Sequence, residues 1–303
     1  PPPRNYCTPF FLANFCRMAV SRPLLIGGGF VTFASTAYAS YLLNKPDTTT
    51  RSGGLPDSSS RIATYEKLAP TYDAKIHLDE TVMGMSLLRR FLIGNAKGEV
   101  LEVATGTGRN MPFYPSSCTS LTVTDASRAM LEVAVTIGRQ KECAAPVTLA
   151  VKTTAEGLAA SMEGRQFDTV VDTFGLCSFD DPVEALRQMQ ACCKKDGTIL
   201  LLEHGRSSWL PWLTNILDKQ AVEHAAKWGC VWNRDIKSIV EASCLEVISL
   251  DTYHFGTTYY IVGRPGRSSA HNERTAVMAT SISEAPAGGH SHSCVGSCSC
   301  SCR

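Results

Sequence analysis

The apolar positions change period along this chain, and the changes outline its elements. Residues 24–43 carry no charge, and at 1.5 Å per residue such a stretch spans a hydrocarbon core of ~30 Å. Residues 44–60 are rich in Pro, Thr, Ser, Asp and Gly and read as a tether. Helical spacing starts with Tyr65, Leu68 and Tyr72. It continues over 77–94, which predicts a helix with Val82, Met85, Leu88, Leu92 and Ile93 on its apolar face. Val100, Leu101 and Val103 then form a short apolar run. It ends in a glycine turn at 105–108, followed by an amphipathic segment, so a strand, a tight turn and a helix are expected.

The alternation repeats downstream. L-T-V-T-D at 121–125 reads as a strand, and 127–140 as a helix with Met130, Leu131, Ala134 and Ile137 inward. A third strand is expected at 146–151. F-D-T-V-V-D-T at 167–173 is nearly continuously apolar, which suits the buried centre of a parallel sheet. Asp181 is the expected N-cap of the next helix, with Pro182 in its first turn and Glu184 reaching back as a capping box. Lys194, Lys195, Asp196 and Gly197 would close that helix with cations and a C′ glycine. A fifth strand at 198–202 ends in Glu203-His204-Gly205. Residues 207–228 form an insertion bearing Trp209, Trp212, Leu213, Ile216 and Leu217: a substrate lid, a membrane-facing flap or a helix packed on the domain. A helix to Ala242 and strands at 245–250 and 257–262 complete a doubly wound α/β pattern.

Composition narrows the picture. A net charge of +1 leaves no electrostatic footprint for nucleic acid. A hydrophobic content of 44% suffices for one large core. Of the 13 cysteines, Cys294, Cys298, Cys300 and Cys302 crowd the C-terminal end, and several others fall in apolar segments as buried thiols would. The chain does not begin with Met, as expected of a processed chain or a fragment.

Residues 1–22 contain Arg4, Arg17 and Arg22 and no acid, the composition of a mitochondrial targeting segment. The expected organisation is therefore a targeting segment at 1–22, a transmembrane helix at 23–44, a linker at 45–60, one domain at 61–265 and a disordered tail at 266–303. Ala37-Tyr38-Ala39 offers a competing reading, a cleaved secretory signal. Another membrane, such as that of the endoplasmic reticulum, is a further alternative. Basic residues flank the apolar stretch on both sides, so orientation is not set. The tail's His290, His292 and cysteines offer soft donors for Cu(I) or Zn(II). Their spacing matches no structural zinc pattern, and a low-complexity tail is the simpler reading. No metal site is assigned to the domain.

The chemistry-bearing stretch is V-L-E-V-A-T-G-T-G-R-N at 100–110. Gly106 and Gly108 let backbone N–H groups approach a ligand. Asp125 follows Gly106 by about 20 residues, where the acid that grips ribose hydroxyls stands. A dinucleotide fingerprint would need a third glycine at position 111, which is Met111.

E-V-A-T-G-T-G resembles motif I of the class I S-adenosylmethionine (SAM)-dependent methyltransferases, methyltransferase type 11-like, with Ala104 in place of the first glycine. The motif order through C-C-K-K-D-G-T-I-L-L-L-E-H-G supports the resemblance over 61–265. E-H-G, G-C-x-W-N-R-D and H-F-G-T look like the membrane-anchored methyltransferase-like proteins and their fungal mitochondrial inner-membrane relative.

The resemblance implies a Rossmann-like seven-stranded sheet and SAM as cofactor. It implies that Glu102 meets the methionine amino group, that Ala104, Thr105, Gly106, Thr107, Gly108 and Asn110 cradle the cofactor, and that Asp125 holds the ribose beside Ala126 and Met130. Thr154 stands where relatives carry an adenine-binding acid, so Ala155 or Glu156 would serve. Thr173 would border the site. Tyr65 and Tyr72 either line it or pack their helix. His204 is the candidate general base, or a strand-end histidine bonded to backbone. The implied acceptor is a small or lipophilic molecule with a thiol or oxygen nucleophile, near a membrane and not nucleic acid. The alternative is a methyltransferase-fold assembly factor of the mitochondrial membrane, with weak catalysis or none.

Overall fold

Each strand in the centre of this protein alternates its side chains between two apolar layers, so both faces of the sheet must be covered. In the computed structural model, which describes residues 54–140 and 144–266, seven strands form one sheet. They are β1 (Gly98–Val103), β2 (Cys118–Asp125), β3 (Val147–Lys152), β4 (Phe167–Thr173), β5 (Cys193–His204), β6 (Glu246–Tyr253) and β7 (Thr258–Arg264). Their order is β3-β2-β1-β4-β5-β7-β6. The first five are parallel, and β7 lies antiparallel between β5 and β6. This is the seven-stranded Rossmann-like arrangement expected from the sequence. The expected targeting segment, transmembrane helix and tail lie outside the described residues. Among the described residues no helix is long and apolar enough to cross a membrane.

Leu101, Val103, Val170, Ile199 and Leu201 enter one core layer. It is closed by α5 (Leu158–Ser161), α6 (Pro182–Cys192) and α8 (Ile236–Ala242). Val100, Leu121, Val123, Val171, Leu200 and Leu202 enter the other, under α3 (Met85–Ile93) and α4 (Arg128–Gln140). A third cluster joins Leu213, Leu217 and Ala221 of α7 (Pro211–Trp228) to Cys177, Cys230 and Trp232. The insertion is thus a packed helix, but Trp209 and Trp212 before and at its start stay exposed.

Several local expectations are corrected. No α-helix follows the glycine turn: Met111–Phe113 is one 3₁₀ turn containing Pro112, and the chain then runs into β2. With Pro112 and Pro115 so close, no N–H ladder can propagate. The helix expected over 77–94 is two helices, α2 (Tyr72–Val82) and α3, separated at Gly84, whose φ is +66°. Val82 is consequently exposed. Lys194–Gly197 does not cap α6. The helix stops at Cys192, Cys193 is extended, and the four residues belong to β5. Lys194 Nζ there pairs with Asp168 of β4 at 2.8 Å. Asp181 does cap α6, accepting from Val183 and Glu184 N–H groups, but Glu184 bonds Gln188 and not back to Asp181. The capping box is therefore absent; Asp180 and Asp181 N–H groups donate to Glu156 instead.

Candidate active site

In the order β3-β2-β1-β4-β5 the chain reverses direction of travel between β1 and β4, and the crevice outside their carboxyl ends is where such sheets bind ligands. A cavity of about 420 Å³ lies there. Ala104, Thr105, Gly106, Thr107, Asp125, Ala126, Met130, Ala155, Glu156, Thr173, Tyr65, Tyr72 and His204 all line it.

The glycine turn is built from left-handed residues: φ is +48° at Ala104, +56° at Gly106 and +82° at Gly108. A Cβ added at Gly106 would meet no atom within 4 Å, so this position faces open cavity. A Cβ at Gly108 would instead lie 3.0 Å from Met111 Sδ and 3.2 Å from Ala134 Cα. Gly108 is thus needed for packing and does not line the cavity. Asp125 Oδ2 accepts from Gly106 N–H at 2.9 Å, and its Oδ1 accepts from Ser127 N–H at 2.8 Å. Burial raises the Asp125 carboxyl to about 6 against those bonds.

Glu102 and Asn110 stand behind the cavity wall. Glu102 is buried and accepts from Asn110 Nδ2 at 2.9 Å and Tyr114 OH at 2.7 Å. Both oxygens are thereby used within the protein, and burial raises its carboxyl. Asn110 Oδ1 accepts from Arg89 at 3.0 Å. Arg89 also donates to Thr173 Oγ1 at 2.6 Å and Glu80 at 3.0 Å. Arg109 holds the other Glu80 oxygen at 2.6 Å and reaches Asp73 at 3.1 Å.

α1 (Ser58–Leu68) closes the cavity, tied to the loop after β4 and to the start of α4. Arg61 pairs with Asp180, Tyr65 OH meets Ser178 Oγ at 2.7 Å, and Glu66 accepts from the N–H groups of Arg128 and Ala129 at the start of α4. The Tyr65 and Tyr72 rings meet edge to face with centroids 6.5 Å apart. Burial pushes both phenols up, so they remain neutral. His204 stacks on Phe174 with ring centroids 5.2 Å apart, and its Nε2 lies 2.7 Å from Cys230 Sγ. That nitrogen already has a partner within the chain.

Residues 76–250 match the family described as methyltransferase domain. The chain belongs to this family. Its class is that of the class I SAM-dependent methyltransferases, and the cofactor is SAM. The chain is 36% identical over 213 residues to the mitochondrial methyltransferase OMS1 of Saccharomyces cerevisiae, covering 66% of this chain and 45% of that protein. It is 26% identical over 155 residues to a demethylmenaquinone methyltransferase of Streptomyces griseus, covering 50% of this chain and 63% of that one. The chain thus spans about half to two thirds of the length of these curated relatives. The solved DhpI–SAH complex shares the fold, with a TM-score of 0.50 at 18% identity over 69% of this chain and 97% of that one. So does the [4+2]-cyclase SpnF, with a TM-score of 0.52 at 13% identity over 70% and 98%. The fold alone therefore does not decide the chemistry.

The methyltransferase site fits its cofactor on three observations. The Gly106 position is open, the Asp125 carboxylate is fixed by two N–H groups at the cavity wall, and the guanidiniums of Arg89 and Arg109 border the same space. The two arginines and Glu80 were missed by sequence reasoning. In M-S-L-L-R-R-F-L-I, Arg89 looks like a solvent-face charge, yet it is 5% exposed. A buried arginine is rare unless paired, and its distant partners were not readable from neighbouring residues.

Proposed function

We propose that this chain transfers the methyl group of SAM to a thiol or oxygen nucleophile on a small lipophilic acceptor, at a mitochondrial membrane. The observation that carries this reading is the continuity of one cavity. Its β1–β2 end holds the glycine turn and Asp125, and its far end is lined by Leu213, Leu217, Trp228, Trp232 and Phe255. When bound, SAM supplies a methyl group already activated on a sulfonium, so the protein's tasks are positioning and exclusion of water.

In this reading Asp125 and the Gly106–Thr107 backbone hold the sugar, and the arginine pair meets the carboxylate of the methionine end. Glu102 is a positioning residue acting through Asn110 on Arg89. Ala155 borders the adenine end, while Glu156 ties the loop before α5 to α6. Tyr65 and Tyr72 close the cavity from α1 and α2. His204 stands at the acceptor end as the candidate general base, with its Nε2 beside the Cys230 thiol.

Exposed Trp209 lies beside Phe255, with ring centroids 6.4 Å apart, and Phe255 lines the cavity. Aromatic rings of this kind favour a membrane–water boundary. The mitochondrial and quinone-methylating names of the relatives point the same way. So does the uncharged stretch at 24–43, which we assign as a single-pass inner-membrane anchor.

The test is SAH formation by the full chain in detergent, with SAM and a panel of lipophilic thiols and phenols, beside Asp125→Ala. Turnover confined to lipophilic acceptors and lost in the variant is expected. A folded chain that binds SAM and turns over none of them would overturn the proposal.

A further inference from the structure

Three donor side chains from separate parts of the chain meet in the cavity wall. Cys177 follows β4, His204 ends β5, and Cys230 follows α7. One ligand atom of each lies within 4.8 Å of those of the other two. His204 Nε2 and Cys230 Sγ are 2.7 Å apart. Both cysteines are buried, free thiols, and all three residues line the cavity.

We propose that Cys177, His204 and Cys230 hold a zinc ion whose fourth position opens into the cavity and takes the acceptor's thiol. Two thiolates, one imidazole and an open position form a donor set of catalytic zinc sites. Zn–S and Zn–N bonds of about 2.3 and 2.0–2.1 Å put tetrahedral ligand atoms about 3.5–3.8 Å apart. The observed cluster fits that envelope, with the His204–Cys230 contact opening by about 0.8 Å on binding.

The surroundings favour a cation. Besides Cys230 and His204, Cys177 Sγ meets weak partners among the described residues, Phe174 O at 3.2 Å and Ser178 Oγ at 3.5 Å. Asp172 and Glu203, on the adjacent strands β4 and β5, are fully buried, and their carboxyl oxygens have no hydrogen-bond partner among the described residues. A dication balanced by two thiolates adds no net charge.

The position also suits an acceptor. The cluster lies at the ends of β4 and β5, while the glycine turn and Asp125 lie at the ends of β1 and β2, along the same sheet edge. Zinc binding releases the cysteine protons to solvent. An entering thiol likewise loses its proton to solvent and keeps a nucleophilic sulfur as thiolate. With the ion in place His204 is a ligand and no longer a base. The inference rests on the methyl-transfer reading of the cavity and narrows its acceptor to thiols.

The experiment uses the full chain with Cys294, Cys298, Cys300 and Cys302 replaced by Ser, so that tail thiols do not contribute. Elemental analysis after zinc loading and dialysis should give one zinc per chain. Cobalt(II) substitution should give thiolate-to-metal charge-transfer absorption that shifts when a small alkyl thiol is added. Cys177→Ser and Cys230→Ser should each weaken zinc at least tenfold while SAM binding persists.

A chain that binds SAM but holds no zinc and gives no charge-transfer band overturns the site, and this readout needs no variant of the cluster. Zinc retained at full affinity in Cys177→Ser overturns it too. Zinc bound as expected, with no transfer to any acceptor, keeps the metal site and overturns the methyl-transfer reading.

Discussion

The backbone N–H of Gly106 donates to Oδ2 of Asp125 at 2.9 Å, joining the turn after β1 to the end of β2. A left-handed glycine and a half-buried carboxylate thereby fix each other at the cavity wall. The carboxylate keeps lone pairs for a ligand hydroxyl after accepting from Gly106 and Ser127. Asp125→Ala removes a charge-assisted bond and unlatches the turn. Titration calorimetry should show SAM affinity falling about 10–100-fold, the equivalent of ~1.5–3 kcal/mol.

The same carboxyl sets a pH dependence. Burial raises it from 3.8 to about 6 in the free protein. Ribose hydroxyls donate to the ionised form, so below about 6 a proton must leave before the cofactor binds. SAM affinity should be flat above pH 6 and weaken by up to about tenfold per unit below it. The sign for folding is opposite. The folded chain holds this proton more tightly than the unfolded one, so the Asp125 contribution to stability declines as pH rises from about 4 to 6 and is then constant. Asp125→Asn should flatten both profiles; an unchanged affinity profile in this variant would refute the assignment.

Arg89 holds three groups at once: Asn110, Thr173 and Glu80. Its guanidinium also lies 4.9 Å over the Phe174 ring. A lysine cannot span that fork, so Arg89→Lys is not conservative here. Urea unfolding should show a loss of about 3 kcal/mol, because Glu80 keeps only Arg109 and Asn110 loses a donor. SAM affinity should fall by at least about tenfold. Stability and affinity both equal to those of the unsubstituted chain would show that the network is incidental.

What the sequence revealed follows the range of each interaction. Strands β1, β4 and the core of β5 were legible because buried parallel strands are short runs of Val, Leu and Ile, a purely local signal. Asp125 and the glycines were legible because their spacing along one βα unit is fixed. Gly84 was passed over because the 3.6-residue period continues across it, whereas the backbone there takes φ +66° and starts a new helix. Lys194–Gly197 carried a helix-end signature, but the chain is already extended at Cys193, which pairs with Phe167 of β4, and the four residues fill the register shift before Thr198 pairs with Thr169. Arg89, Glu80 and the Cys177–His204–Cys230 group were not legible as sites. Arg89 and Glu80 meet because the chain turns at Gly84 between their helices, and the cysteines and histidine meet only when β4, β5 and α7 assemble.

Glu66 offers a test of how α1 is held. Its carboxylate accepts the N–H groups of Arg128 at 2.7 Å and Ala129 at 3.1 Å, capping α4 from another helix. Those bonds outweigh its partial burial and hold its carboxyl below the usual range. Glu66→Ala should cost about 1 kcal/mol, the usual worth of a lost cap. Since α4 carries Met130 into the cavity, cofactor release should also accelerate, read by stopped-flow fluorescence. Glu66→Gln keeps one acceptor and should recover part of both. Destabilisation without a change in release rate would confine Glu66 to a folding role.

Ala104 occupies the position where relatives of the resemblance carry the first glycine, and its φ is +48°. A side chain in the left-handed region costs about 1–2 kcal/mol. Glycine there relieves that strain but adds about 0.4–1 kcal/mol of unfolded-chain entropy. The strain outweighs the entropy, so Ala104→Gly should stabilise the protein by about 0.5–1 kcal/mol. The urea midpoint should rise with the slope unchanged. Ala104 lines the cavity, so a turn that needs the alanine to hold its shape would reveal itself as weakened SAM binding in the more stable variant. A lower midpoint would mean that the Ala104 backbone is held by contacts stronger than its intrinsic preference.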